Sequence, residues 1–561
     1  MLPLEIEKRL AGWLALGSVC VTLVVTDRIS SDPANLGKML VLSIVAGGAF
    51  GLLLMTLRTI FHNNKLLYIS AFSFLVILFI SMFFSNSPWQ RGFYGAAGRN
   101  TGFLTYTAFL VIFLGCANIQ RIENTTKVIR YFLLAGILNL FACLFYILSG
   151  HEIFQWNNSF GKVLGTFGNP DFVSAFLGMF VTALISILAS RKVSPIIRVI
   201  LIALVLVTLY VIKGSAAQQG LIIVIAGLSI IGFFVLRSRT NSKWPGAIYV
   251  VINLILGILG ILGTLQQGPL QKFLYKPSIT FRGEYWHAGI NMALKHPLTG
   301  VGIDSYGMYY RMFRRLSAAT YPGLGVVSDA AHNVFIDMLA GAGLLGLLSY
   351  VFLIILVLKS SIIIYRRSKN YDPVFVLLFT LWATYQLQSF VSINQIGLGV
   401  WGWVLGGLLI GYEKVIGEGS VLGAVTKQKK VKSGNNLIGA STFLTFSIGS
   451  LMGLLVALPS FMADAKERQA YSKKDAKALI AIAGSFPRDN VRMNKASVML
   501  ANSGSKAQAA TLSKDEARVY PDDFAAWYTL YALSADGSKE KATLIRKLHT
   551  LDPFNPEFAP K

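Results

Sequence analysis

Almost no ionisable side chain lies near the middle of an apolar run in this 561-residue chain; the polar chemistry collects in a few short segments. Three of them read Tyr94–Thr101 (YGAAGRNT), Leu164–Asp171 (LGTFGNPD) and Lys213–Gly220 (KGSAAQQG). The fourth is a long stretch from Gln266 to Ala331, with His332 and Asn333 at its end. Histidine is the side chain that exchanges a proton near neutral pH, and arginine and lysine hold anions. Within the long stretch, Phe281–His296 (FRGEYWHAGINMALKH) places Trp286, Ile290, Ala293 and Leu294 on one helical face, with Arg282 at its head. Such a helix can lie along a membrane surface. Pro297 ends it, and Leu298–Gly302 (LTGVG) makes a glycine turn that sends the chain back. Asp329–Gly346 then enters an apolar run, leaving His332 at a boundary between water and lipid.

Several other polar residues are excluded from that chemistry. Asp337 follows His332 by five positions, roughly 500° of helical rotation, so it faces away and no histidine–carboxylate relay is expected. Glu284, His287 and His296 read as solvated positions. No histidine pairs with a carboxylate or cysteine at a zinc spacing, and Cys20, Cys116 and Cys143 all lie inside apolar runs, so neither a metal nor a cofactor is expected.

The elements that must position these residues are membrane spans. The chain is 54% hydrophobic and 14% charged, with a mean hydropathy of +0.58, which excludes a soluble enzyme. Its net charge of +25 is spread over short loops instead of forming one basic face, so no nucleic-acid partner is expected. Apolar runs long enough to cross a hydrocarbon core of roughly 30 Å fall at 10–26, 38–57, 66–84, 103–118, 128–148, 170–189, 196–212, 219–236, 246–265, 333–358, 374–391, 396–411 and 438–458. The fold class expected is therefore an all-α polytopic membrane protein of about 13 spans, with a large outer loop at 266–332 between spans nine and ten. Lys8 and Arg9 precede the first run without a small-residue cleavage pattern after it, so it reads as an uncleaved span.

Basic residues alternate across the runs. One set of connecting segments carries 22, among them Lys8, Arg9, Lys127, Arg191, Lys192, Arg237, Lys369, Lys427, Lys429, Lys430 and Lys432; the opposite set, without the long loop, carries six. The positive-inside rule then places the amino terminus in the cytoplasm and the region after Leu458 outside. Residues 1–459 form the membrane domain. From 460 to 561 the composition becomes that of a soluble helical segment, with 16 basic and 12 acidic residues. Phe486-Pro487 and Tyr520-Pro521 recur at a spacing of 34, which resembles tetratricopeptide repeats; a helical hairpin capping the membrane domain is the plainer alternative. Either suggests an interaction surface, and through it a protein partner.

Taken in order, Phe167–Pro170, Arg282 with Trp286 four residues on, Pro297–Gly302 and His332-Asn333 opening a glycine-rich span (Gly341, Gly343, Gly346) resemble the O-antigen ligases, their relatives the O-antigen polymerases, and the bacterial protein O-oligosaccharyltransferases, over about residues 85–410. The resemblance implies transfer of a glycan from a polyprenyl diphosphate donor to an acceptor hydroxyl of a lipid, glycan or protein, at the outer face of the bacterial inner membrane. With it, His332 is the candidate base and Arg282 matches the family's loop arginine as a holder of the diphosphate; Arg99 and Lys213 are candidates for further charge on the diphosphate, with Gln218, Gln219, Asn333 and Asn169 as supporting polar groups. The family's arginine after a serine is absent near Ser215, where the chain reads Gly-Ser-Ala-Ala-Gln-Gln-Gly.

Plainer readings stand beside these. His332 could simply cap its span, Arg282 and Arg99 could anchor to lipid head groups, and Asn169-Pro170 could only start span six. A transporter or flippase, or a noncatalytic envelope scaffold, are the alternatives of another class. A scaffold tolerates loss of His332; a transporter moves lipid-linked glycan without consuming it.

Overall fold

In the computed structural model the described residues are 2–156, 158–190, 193–368, 370–419 and 435–559. They are helical, and no strand occurs among them. Arg191, Lys192, Lys369, Lys427, Lys429, Lys430 and Lys432 of the basic alternation lie outside the described residues.

Every predicted span contains a helix. The first nine are α1 (Leu4–Leu23), α2 (Leu36–Leu54), α3 (Lys65–Phe84), α4 (Phe103–Ala117), α5 (Ile122–Ser149), α6 (Pro170–Leu188), α7 (Pro195–Ser215), α8 (Gln219–Arg239) and α9 (Trp244–Thr264). The outer stretch carries α10 (Pro277–Lys295) and α11 (Tyr306–Phe313). Then come α12 (Val334–Arg367), α13 (Pro373–Ser389), α14 (Ile396–Gly419) and α15 (Asn435–Lys473), followed by the tail helices α16 (Ala476–Ala483), α17 (Asn490–Asn502), α18 (Lys506–Val519), α19 (Phe524–Leu533) and α20 (Lys539–Leu551). Among the described residues ten helices are long and apolar enough to cross a membrane. Of the other three, α1 opens with Glu5, Glu7, Lys8 and Arg9, and α4 and α13 have only 15 and 17 residues, short of the ~20 of a typical span. The chain is an all-α multi-pass membrane protein.

Lipid is as apolar as leucine, so spans associate through close packing and polar contacts. Gly47 and Gly51 of α2 face Gly449 and Gly453 of α15: a Cβ on Gly47 would stand 2.1 Å from the Gly449 carbonyl oxygen, and one on Gly453 2.1 Å from that of Ser43. Only bare backbone permits that approach. At the far end of α1, Lys38 is fully buried and its ammonium donates to the carbonyls of Thr22 and Val24, both at 2.8 Å, where the helix leaves carbonyls unpaired.

The long helix α12 is broken at Gly343, whose φ of +70° a side chain would resist. The break frees carbonyls, and the Pro297–Gly302 turn uses them: Val301 and Gly302 donate to Ala340 and Gly341 at 2.8 and 3.1 Å, and Leu344 donates to Pro297 at 2.8 Å. A Cβ on Gly300 would meet the Ala340 oxygen at 2.4 Å. The glycine turn is thus laced along the kinked span.

The tail does not stand apart. Tyr309, Arg311 and Arg314, on and just after α11, meet it directly: the fully buried Arg314 forks onto Asp552 at 2.7 and 2.8 Å, and Arg311 reaches the same carboxylate at 3.1 Å. Tyr306, Tyr309 and Tyr310 share one apolar core with Leu479, Met493 and Leu512 of the tail.

Candidate functional site

Three loops meet around Arg99 and Asp304, the latter following the glycine turn. Its Oδ2 accepts the N–H groups of Ala96 at 2.8 Å and Thr101 at 3.0 Å, and its Oδ1 lies 3.5 Å from Arg99 Nε. Arg99 also donates to Asp329 Oδ1 at 3.0 Å. The guanidinium is 7% exposed and sits between two carboxylates, one buried and one open to solvent. Burial pushes the Asp304 carboxyl above its ordinary range, and Arg99 pulls it back. Arg99, Asp304, Asp329, Asp337, Tyr106 and Asn394 line a small cavity of about 30 Å³, room for a water molecule.

His332 is half-buried beside this cluster, in left-handed backbone with φ +52°. Asn333, the next residue, caps α12 by accepting from Phe335 at 3.0 Å and Ile336 at 3.2 Å. The cap belongs to Asn333, so the histidine ring is left for other work. Asp337 turns back to accept the N–H of Ala331 at 2.7 Å and bonds to the loop backbone, not the imidazole. The Tyr285 ring lies 5.7 Å from the His332 ring. Burial first, then the charges of Arg99 and Arg282, lower the His332 pKa to about 4, against the opposite pull of Asp329. At neutral pH the imidazole is uncharged and able to accept a proton.

Arg282 lies in the second turn of α10, which begins earlier than expected, at Pro277. Its partner is Asp171, at 3.6 Å, with the two side chains 20% and 40% exposed. Asn169 accepts from the Asp171 N–H at 2.8 Å and Pro170 opens α6, so this segment does start a span while aiming Asp171 at the loop. One turn further along α6, Ser174 accepts the Gly220 N–H at 3.1 Å, which brings the Lys213–Gly220 segment alongside. There Gln219 is buried with both amide atoms unpartnered among the described residues. Lys213, at the end of α7, is exposed, and Gln218 is half-buried. All four polar segments therefore converge on one end of the helical bundle.

Residues 178–351 match the family model described as O-antigen ligase. Over this stretch the chain is similar to the O-antigen ligase superfamily. No curated protein matches the chain. The ligase region contains His332, Arg282, Asp304, Asp329 and Gln219, whereas Arg99, Asn169 and Asp171 reach the site from helices and loops before it. The match supports a glycosyltransferase-like membrane enzyme with glycan and lipid substrates.

Sequence reasoning missed Asp304, Asp329 and Asp171 as partners. A carboxylate directly after an apolar glycine turn, as in Val301-Gly-Ile-Asp304, was the available signal. The expected apolar face of α10 also divides: Ala288, Gly289, Met292 and Ala293 are buried in the protein, while Ile290 and Leu294 form an exposed stripe.

Proposed function

We propose that this protein transfers an oligo- or polysaccharide from a polyprenyl diphosphate donor to an acceptor hydroxyl at the outer face of the bacterial inner membrane. The observation that carries the reading is a half-buried histidine, free of the cap, near two arginines of unequal freedom where α12 meets its outer loop. The amino terminus is cytoplasmic and the tail extracytoplasmic, as the basic alternation requires.

In this reading the acceptor oxygen attacks the anomeric carbon, the bond from that carbon to the diphosphate oxygen breaks, and the electron pair leaves with the diphosphate. The hydroxyl proton passes to the His332 ring. Arg282, whose contact with Asp171 is long and partly solvated, turns to the diphosphate, where a planar guanidinium can bond two oxygens at once. Arg99 is spent on Asp304 and Asp329 and holds the histidine loop; it contributes charge without leaving its carboxylates. Gln219 and Gln218, with Lys213, take the place of the family's missing arginine near Ser215. A bound diphosphate offsets the cationic field that lowers the His332 pKa, so the base strengthens when the donor arrives. No step in this scheme calls for a metal.

Among acceptors a ligase reading is preferred, with glycan polymerisation and protein O-glycosylation as the related possibilities; the tail's docking beside the histidine loop suits it to presenting an acceptor protein. The test is mass spectrometry of envelope glycans and glycoproteins from cells lacking the protein, complemented with wild type, His332→Ala or Arg282→Ala at matched membrane levels. Loss of one mature glycoconjugate, with lipid-linked precursor accumulating in both variants, is expected. Full rescue by His332→Ala overturns the base assignment and moves the reading to transport or scaffolding.

A further inference from the structure

At the other end of the bundle, α1, α5 and α15 leave a groove of about 470 Å³. Lys8, Arg9 and Lys127 line its rim, and Trp13, Phe443 and Phe446 its floor. Lys127 lies across α1 at Gly12, where a Cβ would stand 3.0 Å from its ammonium nitrogen. None of the three cations has an ion-pair partner among the described residues. The nearest buried carboxylate, Glu7, is turned away to Arg121 and Asn124. Glu5 alone sets a negative charge against three positive ones in the lining. The wall is firm: the Gly47–Gly449 and Gly51–Thr445 approaches fix α15 against α2, and Trp13 donates to the Val45 carbonyl at 2.8 Å while packing edge-on to Phe446.

The groove is far from the histidine. Thr22, at the opposite end of α1, is the residue that touches the outer Leu164–Asp171 segment through Thr166. Phe443 and Leu16 are 67% and 48% exposed, and the flanking α5 and α15 are long and apolar enough to cross hydrocarbon. A soluble anion would satisfy the rim and leave the floor wet, whereas a neutral lipid would cover the floor and leave the cations unanswered. We infer that the groove between α1, α5 and α15 binds an anionic phospholipid of the cytoplasmic leaflet, its phosphate on Lys8, Arg9 and Lys127 and an acyl chain against Trp13, Phe443 and Phe446. Basic clusters near a membrane surface attract such lipids. The inference stands whether or not the glycan-transfer reading does.

The full chain in nanodiscs of phosphatidylcholine doped with acyl-brominated phosphatidylglycerol, or with equally brominated phosphatidylcholine, tests it through quenching of tryptophan fluorescence. Brominated phosphatidylglycerol is expected to be preferred roughly tenfold or more over the neutral lipid. That excess disappears in Trp13→Phe and in the Lys8→Gln, Arg9→Gln, Lys127→Gln combination, and Lys127→Gln alone reduces it. Equal quenching by the two lipids in wild type, or an excess unchanged by the charge variants, overturns the proposal. Competition of the excess by inorganic phosphate would also overturn it, in favour of a simple anion site.

Discussion

Two arginines face the same histidine and are held in opposite ways. Arg99 is buried between Asp304 and Asp329, and Asp304 in turn gathers backbone N–H groups from the 96–101 loop. Arg282 has one carboxylate partner at 3.6 Å, with water reaching both sides of the pair. A buried charge robbed of its partner costs much more than an exposed one, so the first arrangement is built to stay and the second is free to exchange partners. The difference separates structure from binding in residues that composition cannot tell apart.

The largest expected effect tests the centre of that comparison. His332→Ala should lower glycan transfer by about 10²–10⁴-fold, the usual contribution of a positioned acid–base group, with membrane levels unchanged because Asn333 keeps the cap. In vitro transfer from purified lipid-linked glycan measures it; activity within a few-fold of wild type would remove His332 from the chemistry.

Arg99→Ala comes next and should act on the fold. Leaving Asp304 buried without its cation should destabilise the protein by about 3–5 kcal/mol, read as a lower thermal transition in detergent. Adding Asp304→Asn should recover part of the loss, since the uncompensated charge is then gone. If Arg99→Ala instead folds like wild type and loses only donor affinity, the contrast between the two arginines collapses.

How far the sequence reveals these roles depends on the range of the forces involved. Spans are legible because transfer of a whole helix to hydrocarbon is a local property: each of the thirteen runs contains a helix, and ten of the described helices are long and apolar enough to cross a membrane. His332 and Arg282 stand out by type and place, Arg282 also by its spacing to Trp286. The partnerships are not legible: Asp304 lies 205 positions from Arg99, and Asp171 lies 111 from Arg282, so no periodicity connects them. Helical rotation sets Asp337 apart from the imidazole, yet its bond to the Ala331 N–H depends on the turn before α12, which rotation alone does not describe. The glycine pairs at 47–51 and 449–453 carry a recognisable small-residue spacing; what stays hidden in sequence is which helices they join.

Arg282→Gln is expected to have the next largest effect. It should weaken donor binding, raising KM for the lipid-linked glycan more than it changes the thermal transition, because an ion pair this exposed is worth only about 0.2–1 kcal/mol. It should also act on the histidine. Burial holds His332 near 4 with the help of two cations, so removing one of them moves its pKa upward, toward the ordinary value. Carbethoxylation of His332, followed by peptide mass spectrometry across pH, reads this directly: the unprotonated ring reacts, so the half-maximal rate shifts to higher pH in the variant. A profile that stays in place would show that Arg282 does not act on the base.

The smallest effect belongs to Asp171→Asn, and its direction is the sharper test. Neutralising the partner removes a competitor for the Arg282 guanidinium, so donor KM should fall slightly, by a factor of about two to five for a pair of this exposure. Stability should hardly move at neutral pH. Below it, wild type and variant should both lose stability as pH falls from about 6.5 toward about 4, because the unfolded chain protonates a histidine that the fold keeps neutral. His332→Gln removes that part of the acid sensitivity, while Asp171→Asn leaves it in place. A rise in KM on Asp171→Asn would mean that the carboxylate orients Arg282 for the donor instead of merely occupying it, and the second arginine would then be held in place as firmly as the first.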